Sequence, residues 1–200
     1  MLDEADIHLD NNAVHVQADG QGDVVFCELG AGQTVSGCNV ILNGDKSRSD
    51  LQSIYIGDKD RKLDLNYRME LRGRESEGHI LVRGALADQA KKALKSNLDF
   101  IRGAAASRGS EEETVLTLSE KAVNLSVPLL LCGEDNVEGS HATSSGKPNP
   151  SKLFYLMSRG LSEKEARHLL VEASFTPILE NISSESLKAA VQQRIREVLA

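Results

Sequence analysis

His141 stands in a polar stretch, Ser140-His141-Ala142-Thr143-Ser144-Ser145-Gly146, where strand-like patterning gives way to helical patterning. Imidazole is a good ligand for iron or zinc, so His141 is the first candidate for chemistry. Three other groups compete with it. Ser110-Glu111-Glu112-Glu113 concentrates carboxylates, but a run of like charges predicts a solvated loop from Ser107 to Glu113 rather than a metal site. Asp58, Asp60 and Asp64 come nearest to the clustered aspartates of a calcium-dependent polysaccharide lyase. Cys27, Cys38 and Cys132 are odd in number and widely spaced, with no C-x-x-C pair, which argues against a disulfide framework or a zinc cage. They predict reduced thiols, with Cys132 in the core as a small apolar residue. His8, His15, His79 and His168 each stand singly and predict surface or core positions. Lys147 and Arg159 flank the junction and predict solvated positions.

Short strands and tight turns must position these residues. Leu63, Leu65, Tyr67, Met69 and Leu71 alternate strictly, the clearest strand in the chain. Similar apolar pulses run over Val35–Leu42, Leu51–Ile56, His79–Arg83, Leu98–Ile101, Thr114–Leu118 and Leu125–Leu131. Turn sequences such as Asp19-Gly20-Gln21-Gly22-Asp23 and Asn43-Gly44-Asp45 separate them. Strands this short suggest a sandwich, a barrel or a β-solenoid. Small residues crowd the turns, and few connections have the Asn-Gly form of two-residue hairpins. Both features favour a solenoid, in which turns vary in length while stacked strands keep register. No exact internal repeat is visible. Leu86 to Leu94 breaks the pattern and reads as a helical turn or two looping around one rung.

Pro148-Asn149-Pro150 stops the strand pattern. Ser151 is then placed to cap a helix bearing Leu153, Phe154, Leu156 and Met157, which Gly160 ends in a left-handed cap. Ser162 and Glu165 form a capping box. The helix they start places Ala166, Leu169, Leu170 and Ala173 on one face, so a charge at Leu169 or Leu170 is expected to weaken docking. Pro177 kinks or ends it. Ser183 or Ser184 caps a last helix with Leu187, Val191, Ile195 and Val198 as its stripe. The division expected is a solenoid over residues 1–147 and a helical subdomain over 148–200, too small to stand alone.

Aromatics make up 4% of the 200 residues and Trp is absent, so the core rests on Val, Ile, Leu and Ala. A net charge of −7 with no basic stripe argues against nucleic acid as a partner. The acidic opening, Met1-Leu2-Asp3-Glu4-Ala5-Asp6, has no signal-peptide apolar core. No apolar run approaches the roughly 20 residues a membrane span needs. A cytoplasmic location is the expectation.

Asp135 to Ala142, followed by Lys152-Leu153-Phe154-Tyr155-Leu156-Met157-Ser158-Arg159-Gly160-Leu161 and Glu163-x-Glu165-Ala166, resembles the SufB/SufD family of iron–sulfur cluster assembly proteins. Ile56-Gly57-Asp58 and Arg83-Gly84-Ala85-Leu86 extend the likeness upstream. The resemblance is nearest to the C-terminal half of SufD. It implies a mainly β fold, a right-handed parallel β-helix followed by C-terminal helices. It also implies a non-enzymatic scaffold that pairs with SufB, or with a second copy of itself, and docks the ATPase SufC through those helices. The family's functionally important histidine falls on His141, an expected ligand for iron or a transient iron–sulfur cluster at a subunit interface, with no tightly bound cofactor. Some relatives carry a cysteine where this chain has Gly139, and histidines where it has Asp64 and Asn66. The chain is short for the family, whose N-terminal helical region and early rungs have no counterpart in it. A polysaccharide lyase or acyltransferase on a β-solenoid is the alternative, though the six-residue period of hexapeptide transferases is absent.

Overall fold

The computed structural model describes residues 6–30 and 32–199. Ten strands lead: β1 (Ile7–Val16), β2 (Val24–Glu28), β3 (Gln33–Leu42), β4 (Arg48–Gly57), β5 (Lys62–Leu71), β6 (Glu77–Leu86), β7 (Lys91–Phe100), β8 (Ser107–Thr117), β9 (Val123–Cys132) and β10 (Val137–Gly146). Three helices follow: α1 (Pro150–Ser158), α2 (Glu163–Leu179) and α3 (Glu185–Leu199). The odd strands form one sheet, β1-β3-β5-β7-β9, and the even strands another, β2-β4-β6-β8-β10. All pairings are parallel. One strand of each sheet makes a turn, so the chain is a β-solenoid of about five turns.

Register sets which side chains stack. Thr34 lies beside Leu63 and Leu63 beside Lys92, a step of 29 residues each time, from 34 to 63 to 92. Because strand side chains alternate faces, each inward residue lies over an inward residue one turn away. Val40, Met69 and Leu98 form one such column; Leu42, Leu71 and Phe100 form another. These residues fill the lumen and are fully buried. The inward rows need room as well as grease. A Cβ at Gly84 would lie 2.0 Å from the Tyr55 ring, so the glycine lets that aromatic cross the lumen.

The turns also stack. Lys46, Glu75 and Ala106 all adopt positive φ, between 54° and 62°, at successive levels of one corner. Ser47 Oγ donates to Gly44 O at 2.7 Å, and Ser76 Oγ to Gly73 O at the same distance one turn later. A Cβ at Gly73 would lie 1.9 Å from Gly44 O, so only glycine allows this approach of one turn to the next. A period of 29 residues is therefore present, carried by the pairs Gly44/Ser47 and Gly73/Ser76.

Two sequence expectations fail here. Leu86 to Leu94 contains no helix: β6 ends at Leu86, a tight turn follows, and Lys91 opens β7. Ser107 to Glu113 is no loop but the first part of β8. In both segments polar residues occupy inward positions, which disguises strand alternation.

The helices cover the outer face of the even-strand sheet. Val171, Phe175, Ile178 and Leu179 of α2, with Val191, Ile195 and Leu199 of α3, bury Leu29, Ile54, Ile56 and Ala85. Asn181 Nδ2 donates to Gln52 Oε1 at 2.9 Å, and Arg194 Nε to Leu29 O at 3.0 Å. The docked face of α2 differs from the expected one, because Leu169 is 42% exposed and Ala173 faces solvent. Asn149, not Ser151, caps α1: its side chain accepts from the Ser151 and Lys152 amides, and Pro150 takes the first turn. The capping box of Ser162 and Glu165 is formed. Gly160 has φ +99°, as a left-handed cap requires. Pro177 lies in the last turn of α2, which runs on to Leu179. Ser184 Oγ accepts from Leu187 N at 3.3 Å and so caps α3, but Leu187 itself is exposed. None of the described helices is long and apolar enough to cross a membrane.

Candidate functional site

His141 lies on β10, directly over Glu111 of β8 in the parallel register. Glu111 is an inward residue, 3% exposed, so His141 shares its direction and faces the lumen at the last turn. Among the described residues no strand pairs with the far side of β10, and the imidazole is exposed while the carboxylate beneath it is not. The strand facing β10 across the lumen is β9. Gly139, two residues before His141, faces Leu130. Cys132, at the end of β9, thus lies on the side away from His141; it is exposed rather than buried in the core. Cys27 is half-buried and Cys38 buried, and burial pushes both thiols up to about 11.

Beneath His141 the lumen turns polar. Ser96 of β7 donates to Glu111 Oε1. Glu113, two residues along β8 and fully buried, receives Lys92 Nζ at 2.5 Å and Tyr55 OH at 3.2 Å on the same oxygen, Oε1. Lys92 Nζ also donates to Ser126 Oγ at 2.9 Å and Leu125 O at 3.3 Å, and stands 5.6 Å from the centre of the Tyr55 ring. A buried ammonium is tolerated because it is paired and hydrogen-bonded. Among the described residues, Glu111 Oε2, Glu113 Oε2 and, on the neighbouring strand β9, Asn124 Oδ1 have no hydrogen-bond partner. Buried acceptors normally find donors, so these oxygens carry unmet hydrogen-bonding capacity.

The electrostatics agree. Burial pushes the Glu111 carboxyl up and Glu113 adds to the rise, while the Ser96 hydroxyl and His141 pull it back. Burial lowers the Lys92 ammonium, and Glu113 opposes that shift. Burial and the adjacent Glu113 carboxylate raise the Tyr55 phenol well above its ordinary value, so it remains a donor. Among the described residues, His141 joins no set of three His, Cys, Asp or Glu ligand atoms within 4.8 Å of one another, so His141 and Glu111 would hold a metal only with ligands from elsewhere.

The sequence singles out His141 as a candidate but assigns its neighbours other settings. Glu111 and Glu113 lie in the segment expected to be solvated, and Lys92 in the segment expected to be helical. Glu112 alone meets that expectation: it points outward and pairs with Arg83 at 2.6 Å. The alternation Ser107, Gly109, Glu111, Glu113, Val115 was the available signal. Asp58, Asp60 and Asp64 do not converge. Asp58 lies beside the β4–β5 turn, half-buried, Asp60 is exposed in that turn, and Asp64 faces outward on β5. His79 bonds Ser110 Oγ at 2.7 Å on an outer face, His15 is exposed, and His168 is half-buried on α2.

Fold and site together define a parallel β-solenoid with a docked helical appendage, its ionisable groups gathered in the lumen of the last turns. The family model described as "SUF system FeS cluster assembly, SufBD core domain" matches residues 1–174. The chain is 32% identical over 157 residues to the iron–sulfur cluster assembly protein SufD of Bacillus subtilis, covering 78% of this chain and 36% of that protein. It is 31% identical over 157 residues to a SufBD family protein of Pyrococcus horikoshii, covering 78% and 35%. With one from Staphylococcus saprophyticus it shares 26% over 170 residues, covering 85% and 37%. The chain belongs to the SufBD family of iron–sulfur cluster assembly proteins. It spans about a third of the length of these relatives.

Proposed function

We propose that the chain acts as a non-enzymatic scaffold in SUF iron–sulfur cluster assembly, pairing with SufB and docking the ATPase SufC through its helices. In this reading iron or a nascent cluster is cargo, held at a subunit interface by His141 with Glu111 beneath it. One observation carries the reading: His141 stacks over the buried Glu111 at the end of the solenoid where, among the described residues, β9 and β10 each have a strand partner on one side alone. Such edges are templates for strand pairing with another chain. On the outer side of β9, Val123, Leu125, Val127, Leu129 and Leu131 are between 39% and 55% exposed. A second solenoid laid against this rung would cover them and bring its own ligands to His141.

The first test is His141→Ala. Its side chain is exposed, so thermal stability should stay within about 0.5 kcal/mol of wild type. Iron or cluster retention by the reconstituted complex with SufB and SufC should fall at least tenfold. Unchanged retention would remove His141 from the role.

A second test concerns the ATPase. Helix α1 buries none of its residues, and Phe154, Tyr155 and Met157 are 74%, 56% and 42% exposed. An uncovered aromatic face on an amphipathic helix suits a protein partner. Phe154→Asp should reduce SufC capture at least tenfold while leaving melting and SufB capture unchanged. Equal capture by the variant would place the docking surface elsewhere. Deleting residues 151–200 is the poorer experiment, because it would uncover Leu29, Ile54 and Ile56.

A further inference from the structure

The opposite end of the solenoid holds a second set of ligand-type groups. His8 and Asp10 face inward from β1, and Glu28 faces them from β2. One ligand atom from each lies within 4.8 Å of the other two. His8 Nε2 stands 3.2 Å from Asp10 Oδ2, and Asp10 Oδ1 accepts the Gly37 amide at 3.2 Å, which fixes the Asp10 carboxylate. Read singly in the sequence, these residues gave no signal. The solenoid joins them because Asp10 and Glu28 lie on facing sheets of the same turn.

Glu28 is 7% exposed. A buried carboxylate normally has a cation, and Arg61 is the nearest candidate. Yet the Arg61 guanidinium is spent elsewhere: Nε donates to Gly32 O at 2.9 Å, Nη1 to Ile56 O at 2.6 Å and Glu28 O at 3.3 Å, and Nη2 to Thr34 Oγ1 at 3.0 Å. It binds the Glu28 backbone, not its carboxylate. Among the described residues, no ion pair reaches that carboxylate. Burial raises the Glu28 carboxyl and Asp10 adds to the rise, while the nearby Ser36 hydroxyl, His8 and Arg61 oppose it. An independent observation points the same way. Ser36, in register with Asp10 and 1% exposed, has an Oγ with no hydrogen-bond partner among the described residues.

We propose that His8, Asp10 and Glu28 form a binding site for a divalent transition-metal cation, separate from the His141 end of the solenoid. One imidazole nitrogen and two carboxylates supply the ligands, and the part-exposed His8 and Asp10 leave positions open to water or to another ligand. The imidazole favours manganese, iron or zinc over magnesium and calcium, which prefer an all-oxygen set. Metal–ligand bonds of about 2.0–2.2 Å hold ligand atoms within about 4.4 Å of one another, a spacing that side-chain rotation can reach from the 4.8 Å within which these three lie.

The test is titration of Mn2+ and of Zn2+ into the full chain, read by calorimetry and, for Mn2+, by electron paramagnetic resonance. Wild type should bind one equivalent with an imidazole nitrogen coupled to the manganese. His8→Ala and Glu28→Gln should each weaken that binding at least tenfold and remove a metal-dependent rise in melting temperature. The nitrogen coupling should vanish in His8→Ala and persist in His141→Ala. His8 is half-buried, so its alanine variant decides the matter even if Glu28→Gln fails to fold. Absence of bound Mn2+ and Zn2+ in wild type would overturn the proposal. So would binding that His141→Ala abolishes and His8→Ala leaves intact.

Discussion

Lys92→Met is expected to be among the most damaging single changes in the solenoid. Methionine nearly matches the lysine stem, so the lumen stays filled while the ammonium is lost. Glu113 is then left as a buried carboxylate holding only the Tyr55 hydroxyl. Breaking a buried pair from one side costs about 3–5 kcal/mol. For a chain of this size that is a fall in melting temperature of roughly 6–20 °C. The double variant Lys92→Met with Glu113→Leu should recover most of the loss, because it removes the stranded charge as well. Equal instability of single and double variants would show that packing around Lys92, not its charge, holds the rung.

Glu111→Gln should act in the opposite sense. Burial raises the Glu111 carboxyl above its unfolded value, so the folded state holds that proton more tightly. Below the ordinary carboxylate range both states are protonated and the group costs nothing. As pH rises through the raised folded value, the carboxyl must ionise in the lumen and that stability is lost. The glutamine variant avoids this cost. It should be more stable than wild type in denaturant at pH 7.5 and indistinguishable from it near pH 3.5. It should also retain less iron, as expected when a functional group is kept at the expense of stability. A variant less stable than wild type at pH 7.5 would mean that Ser96 and His141 offset burial completely.

Much of the fold could be read from apolar alternation in β5 and from small residues at the turns, and the helix starts from Ser162 and Glu165. His141 was readable because it sits where strand pattern meets helix pattern. Its setting was not, for two physical reasons. Inward positions were expected to be apolar, whereas Lys92, Ser96, Glu111 and Glu113 neutralise and hydrogen-bond one another inside the lumen. Contacts in a solenoid also join residues one turn apart: Glu111 lies under His141 across 30 positions of sequence, from 111 to 141. The same geometry hid the 29-residue period, since stacking requires only a glycine and a serine in each turn to recur. The docked face of α2 was misplaced because the sheet beneath it selects Val171, Phe175 and Ile178, a selection that helical periodicity does not contain.

That docked face yields the second large effect, Phe175→Asp. Phe175 is fully buried between α2 and the outer side of the even-strand sheet, in the cluster of Ile54 and Ile56. Losing a buried phenylalanine costs about 3–5 kcal/mol, and an unpaired carboxylate in its place adds to that. The helices should therefore leave the sheet while the lumen, a separate apolar cluster, stays packed. Limited proteolysis should cut between Gly146 and Pro150, and a dye that binds apolar surface should find the bared Ile54 and Ile56. Leu169→Asp, on the exposed face of the same helix, should change stability by no more than about 0.5 kcal/mol. Equal damage from the two variants, or protease resistance in Phe175→Asp, would refute this account of docking. Strand β4 gives the experiment a functional edge. Ile54 and Ile56 carry the helices on its outer side, while Tyr55 between them reaches Glu113 through the lumen. The helices thus pack one residue from a side chain that reaches the buried ion pair of Lys92 and Glu113. On the scaffold reading proposed above, Phe175→Asp should also lose SufC capture, because the helices no longer hold their place on the sheet.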